Sequence, residues 1–371
     1  MKTSATLVLT NEDIARIVVH CGADALMDQL LARLIAALRR ASSDSENIPV
    51  RAGFHYERPT CGLVEWMPLH APGQEVMLKV VGYHSANPEG MNLPTILSTV
   101  SAYDTASGHL SCLMDGVLLT ALRTGAASAV ASRYLAHPNS RVLGLIGCGA
   151  QAVTQLHALS RVFDLQQVLL HDTDPRALES FARRCAPLNL SLEMRPAPLE
   201  ELVPQADILV SCTSIGVGEG PLFEDLPIQP HLHINAVGSD FPGKVELPRS
   251  LLENCLVVPD FREQALREGE CQQLPPETLG PELAHVVQHP ADFDEHRFRP
   301  TVFDSTGWAL EDFVALQLLR EYALELGLGR WLEIEQLDGD VKNPYDFLLS
   351  PGVPAASSPA PWQSLPEISG D

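Results

Sequence analysis

Between Ile14 and Leu38 the apolar residues recur at helical spacing, and Asn11 or Asp13 stands ready as a cap. The pattern predicts that the chain opens on an amphipathic helix. From Val50 to Asp104 the period shortens to β-like runs broken by Pro and Gly, such as Val76-Met77-Leu78-Lys79-Val80-Val81 followed by Gly82. A mostly antiparallel sheet is expected there. Thr120 to Leu135 is Ala-rich and predicts a helix that leads out of this region and ends at His137-Pro138-Asn139. Apolar strand and helix then alternate: Val142 to Ile146, Ala152 to Phe163, Val168 to His171, Pro175 to Cys185, Asp207 to Cys212. Further strands are expected at His233 to Val237, Leu256 to Val258 and Thr301 to Asp304, and such alternation predicts a parallel, doubly wound sheet. A long amphipathic helix from Trp308 to about Leu326 breaks the alternation and is expected to return to the first region.

Composition narrows the partners. A chain of 371 residues with 45% hydrophobic and 19% charged residues is ordinary for a globular protein of two domains. A formal charge of −22, with no basic patch in view, repels phosphate backbones and argues against nucleic acid; its first reading is solubility, with attraction of a cationic substrate as the second. Neither a signal segment nor an apolar run of bilayer length is visible, so a soluble cytoplasmic protein without membrane contact is expected. Eight cysteines without a Cys-x-x-Cys pair fit free thiols in a reducing compartment. His231 and His233, alternating on an expected strand, lack a second ligand pair nearby, so no metal is expected.

One loop carries a cofactor signal. Val142 to Ile146 runs straight into Gly147-Cys148-Gly149-Ala150-Gln151-Ala152, a dinucleotide fingerprint with Ala in its last small position. The first glycine permits the tight turn, and the second lets backbone approach a pyrophosphate at the start of a helix. Twenty positions beyond Ala152, the strand Val168 to His171 delivers Asp172, placed for the ribose hydroxyls of NAD and repelling the extra phosphate of NADP. Asp174-Pro175 has the form of a helix cap and first-turn proline. The expected fold class is α/β: a Rossmann-type doubly wound parallel sheet plus a second α+β domain for substrate binding and dimerisation. Residues 1–130 and 310–350 are expected to form that second, discontinuous domain, and 131–309 the NAD-binding domain. Residues 351–371, rich in Pro, Ser and Ala, are expected to be a disordered tail.

Further stretches resemble the ornithine cyclodeaminase and mu-crystallin family: Glu65-Trp66-Met67-Pro68, Leu113-Met114-Asp115-Gly116, Leu119 to Thr124, the loop at Gly147, Asn235 to Asp240 and Val302 to Ser305. The order and spacing hold from about Val50 to Arg320, and Val76 to Ala136 is similar to the lysine cyclodeaminases of that family. The resemblance implies that Arg51, Lys79 and Arg123 hold an α-carboxylate, that Glu65 beside Met67 meets a distal ammonium, and that Asp240 is the catalytic acid and base, with Lys79 and Glu65 also in the reacting group. On the cofactor side it implies Thr95, Arg123, Gly147, Gly149, Ala150, Gln151, Asp172, Thr213, Val237, Gly238, Lys244 and Ser305. The implied activity is conversion of a basic L-amino acid to a cyclic imino acid with release of ammonia, L-lysine to L-pipecolate or L-ornithine to L-proline, in a homodimer that recycles NAD. A dehydrogenase or ketimine reductase of the same fold, and a crystallin-like protein that binds without turnover, are the competing readings; retention of both Asp240 and Glu65 speaks against the last.

Overall fold

A computed structural model describes residues 5–41, 47–337 and 339–349. The tail expected at 351–371 lies outside the described residues. Two seven-stranded sheets organise the rest. The first contains β1 (Thr6–Leu9), β2 (Ala52–Tyr56), β3 (Gly62–Ala71), β4 (Glu75–Tyr83), β5 (Ile96–Asp104) and β6 (Leu110–Asp115), with a late edge strand, Arg330–Leu332. Strands β2 to β6 form an antiparallel meander, as the broken β-like runs predict. β1, which the pattern did not reveal, pairs parallel with β6 and antiparallel with Arg330–Leu332. Alternation along β3 buries Leu63, Glu65, Met67, Leu69 and Ala71, and leaves Val64, Trp66 and Pro68 half-buried on the other face.

The second sheet contains β7 (Val142–Ile146), β8 (Gln167–His171), β9 (Glu193–Pro196), β10 (Ile208–Ser211), β11 (His233–Ala236), β12 (Leu256–Pro259) and β13 (Thr301–Asp304). All its pairings are parallel, in the order β12-β13-β11-β10-β7-β8-β9, so the winding reverses between β7 and β10. His231 precedes β11 and donates to the Asp207 carboxylate at 2.9 Å, while His233 pairs with the Thr301 hydroxyl at 2.8 Å; both are tied to structure.

The opening helix differs from its prediction. It is two helices, Asn11–Cys21 and Ala23–Leu38, parted at Gly22, whose φ of 81° lies in the left-handed region that an L side chain resists. Its cap is Thr10, which accepts from the Asp13 amide while the Asp13 carboxylate accepts from the Thr10 amide at 2.9 Å. Such a reciprocal box stabilises a helix start by about 1 kcal/mol. The helix Val117–Leu135 packs against both sheets, and the returning helix Ala309–Glu325 packs on Asn11–Cys21, Ala23–Leu38, Val117–Leu135, β3 and β4. That last packing delivers the first turn of the returning helix beside β4.

Candidate active site

The carboxyl ends of β7, β8, β10, β11 and β13 open on a cleft of about 1060 Å³, where a doubly wound sheet leaves a crevice at its switch point. β7 ends at Ile146 and runs into Gly147, with φ 92°; a Cβ there would stand 2.7 Å from the Cys212 carbonyl oxygen. Gly149 has open space where a Cβ would point, and it caps the helix Ala150–Ser160 without any side-chain bond to that terminus. The first amides of the helix are therefore left to an anion. Asp172 accepts from the Cys148 amide at 2.6 Å and the Asp174 amide at 2.8 Å, which fixes its carboxylate beside the turn. Asp174 in turn accepts from the Arg176 amide at the head of Pro175–Cys185. An open glycine face, an uncapped helix start and an anchored acid after β8 together fit NAD. Thr95, Ala150, Gln151, Thr213, Val237, Gly238, Lys244 and Ser305 share the cleft wall with them.

The first sheet supplies the facing wall. Glu65 and Met67 lie on one face of β3, Lys79 stands across from Met67 on β4, Arg51 precedes β2, and Arg123 enters from Val117–Leu135. Lys79 is 1% exposed and Arg123 6%, depths at which a cation needs partners. Both oxygens of Asp312 lie 2.8 Å from Lys79 Nζ. Arg123 reaches Glu311 at 2.8 Å through Nη1 and Asp312 at 3.0 Å through Nε. Arg51 Nη2 lies 2.5 Å from Glu268 and Nε 3.4 Å from Glu65, and Arg51 also donates to the carbonyls of Thr306 and Asp240. Burial would lower the affinity of Arg51 for its proton, but Glu268, Glu65 and Asp240 more than restore it. Burial, with Arg123 beside it, brings Lys79 down to about 8, against the pull of Asp312. Burial pushes Glu268 up to about 8, opposed by Arg51, and Glu311 likewise to about 8, opposed by Arg123. Asp240 sits on the loop after β11 with its side chain 33% exposed and Oδ1 3.0 Å from Lys244 Nζ. Lys244 lies over the Tyr83 ring, 5.4 Å from its centroid.

Every site residue named from the sequence thus lines this one cleft. What the sequence did not show is the acid shell behind it. Glu246 accepts from the Thr213 amide and hydroxyl at 2.8 and 2.6 Å and from the Gly238 amide at 3.0 Å, which joins two cofactor-side loops. Glu270 accepts from the Glu246 amide, Asp304 from the Glu270 and Cys271 amides, and Asp260 from the Gly307 amide and Thr306 hydroxyl. Burial raises all four carboxyls, Asp304 to about 7. Glu311 and Asp312 occupy the first turn of a helix that the pattern predicts to be amphipathic but that is buried on most of its faces; acids there are normally solvated and favoured by the helix dipole, so no sequence signal marked them. Asp304 stood inside the Val302 to Ser305 stretch but had no role assigned to it.

A parallel sheet ending in a glycine turn, with three cations facing it across a cleft, defines a two-sheet nicotinamide-dinucleotide protein with a cationic wall opposite the cofactor turn. The chain belongs to the ornithine cyclodeaminase/mu-crystallin family, whose model matches residues 11–327. It is 45% identical over 343 residues to the L-lysine cyclodeaminase of Streptomyces rapamycinicus, covering 92% of this chain and 99% of that protein. A solved lysine cyclodeaminase, described for its recognition of L-lysine, L-ornithine and L-2,4-diaminobutyric acid, superposes with a TM-score of 0.88 at 50% identity, over 92% of this chain and 99% of that one. An archaeal alanine dehydrogenase dimer with bound NAD superposes with a TM-score of 0.75 at 31% identity, over 88% of this chain and 99% of that one.

Proposed function

We propose that this protein is an NAD-dependent cyclodeaminase that converts a basic L-amino acid, L-lysine or L-ornithine, to L-pipecolate or L-proline with release of ammonia. The observation that carries this reading is an opposition of charge within one cleft. Arg51, Lys79 and Arg123 stand ready for a carboxylate, while Glu65 and Asp240 stand ready for a second cation. The likeness to the Streptomyces lysine cyclodeaminase supports it. NAD, held by the glycine turn at Gly147 and Gly149, the start of Ala150–Ser160 and Asp172, would supply reversible hydride chemistry at the α-carbon with no net oxidation of the substrate. The residues then orient and move protons. Arg51, Lys79 and Arg123 hold the α-carboxylate with charge-assisted bonds. Glu65, on the Met67 side of the pocket, holds the distal ammonium near the α-carbon, and such proximity replaces an encounter by an intramolecular attack. Asp240 takes the proton from the attacking nitrogen and gives one to the departing ammonia. Glu268, whose carboxyl is raised to about 8 by burial, stands behind this group against Arg51 and helps to position that guanidinium.

The alanine dehydrogenase relatives raise net oxidation as the second reading. Incubation with L-lysine or L-ornithine plus NAD separates them. Pipecolate or proline with ammonia and a steady NAD pool is the expected result, and neither product forming overturns the proposal. We further infer a homodimer built on the first sheet, and the division into 1–130 with 310–350 and 131–309. The half-buried face of Trp66 supports the dimer, and the packing of Ala309–Glu325 on the first sheet supports the division. Eight unpaired cysteines support a reducing, cytoplasmic setting.

A further inference from the structure

The helix Ala309–Glu325 returns to the first sheet carrying Asp312 in its first turn. Asp312 is fully buried, with both oxygens 2.8 Å from Lys79 Nζ and Oδ1 3.0 Å from Arg123 Nε. Its neighbour Glu311 reaches Arg123 Nη1 instead. Two cations this deep repel each other, and a carboxylate set between them offsets that repulsion and fixes where both heads point. Lys79 and Arg123 also border the cleft, so their remaining donors are available to a ligand.

We propose that Asp312 is the positioning residue of the carboxylate-anchoring site, holding Lys79 and Arg123 side by side so that both meet one substrate α-carboxylate. The inference rests on the reading of the cleft as an amino-acid site. Asp312 touches no reacting atom; it acts through the two cations. The charges facing Lys79 are Arg123 from Val117–Leu135, Arg51 from the segment before β2, and Asp312 from the returning helix. Of these Asp312 alone favours the ammonium form. Without its charge, Lys79 loses its proton at lower pH and cannot pair with a carboxylate near neutrality.

The test uses the NAD-loaded full chain with Asp312→Asn, and with Asp312→Ser as a second variant that removes charge without adding bulk. The titration of Lys79 is read without any amino acid present, by pH-dependent acetylation of that residue followed by peptide mass spectrometry. The midpoint is expected to move from about 8 in the parent to below about 7 in the variants. With L-lysine near pH 7.5, KM should rise by roughly tenfold or more while kcat changes less, and the gap should narrow as pH falls and Lys79 regains its proton. A Glu311→Gln comparison should leave the Lys79 midpoint in place. An unmoved midpoint in the Asp312 variants overturns the proposal, and so does an equal shift in Glu311→Gln, since any lost buried acid would then suffice. If the parent enzyme turns over no basic amino acid, the functional reading fails alone, because the labelling arm needs no substrate.

Discussion

Asp240 keeps one oxygen on Lys244 at 3.0 Å and leaves a third of its side chain open to the cleft, which suits exchange of a proton with a substrate nitrogen. Asp240→Asn preserves size and part of the hydrogen bonding but cannot carry the proton. Ammonia release should fall by roughly 10² or more, the scale of a general acid–base contribution, while calorimetry still finds NAD and substrate binding. Near-normal turnover would move the relay to Glu65, which lines the same cleft. Asp172 is bound to the turn by two amides and offers its free lone pairs to a ribose. Asp172→Ala should weaken NAD binding and relax discrimination against NADP, and a parent enzyme that binds both equally would show the assignment to be wrong. Lys79 supplies a pH dependence. Its value is lowered to about 8, so the cation is present below that and lost as pH rises through it. KM for the amino acid should climb on the alkaline side of about 8, and Lys79→Arg, which stays charged, should flatten that limb whatever its effect on absolute affinity.

The strand-turn-helix at Gly147 separates two demands that one fingerprint merges. Gly147 needs positive φ and stands against the Cys212 carbonyl, whereas Gly149 meets nothing within 4 Å. Gly147→Ala should therefore cost stability, on the order of 1–3 kcal/mol in denaturant unfolding, as well as NAD affinity. Gly149→Ala should fold like the parent and lose NAD affinity alone; a parent-like affinity would mean that the pyrophosphate does not approach that face. Elements with a clear period or a continuous apolar run, such as Pro175–Cys185 and Val142–Ile146, match their predicted bounds. β9, whose Glu193-Met194-Arg195-Pro196 is mostly polar, escaped. So did β1 and the edge strand Arg330–Leu332, which lie outside the strand-helix alternation that marks the equally short β10 to β12, because pairing partners decide them. Gly22 was within sight, yet a lone glycine in a helical pattern is often tolerated. Only its backbone conformation shows the break.

Over the whole molecule, the first sheet turns one face to its helices and presents Phe54, Val64, Trp66, Leu78, Val80 and Leu97 on the other, exposed or half-buried. Phe54 and Trp66 meet edge to face with ring centroids 5.6 Å apart. An apolar sheet face of this extent is the surface expected of a second copy. Trp66→Asp should convert a dimer to monomer in analytical ultracentrifugation, and an unchanged mass would place the interface elsewhere. The same sheet carries Glu65, Met67 and Lys79 on its buried face, so loss of the dimer should also loosen the site and raise KM.

The sequence by itself determined what depends on neighbours along the chain: the strand-helix alternation, the glycine turn with its acid after β8, and the residue types that face a charged ligand. These are short-range features, set by backbone sterics and the period of apolar positions. The tertiary structure alone decided which charges meet. Lys79 and Asp312 are 233 residues apart and share one hydrogen bond at 2.8 Å. Glu268 faces Arg51, and Glu246 clamps the two loops that leave the paired strands β10 and β11. An acid written into the first turn of a helix reads as solvent-facing until packing buries it. Its partner is then fixed by where the two sheets and the returning helix converge, and no local pattern encodes that.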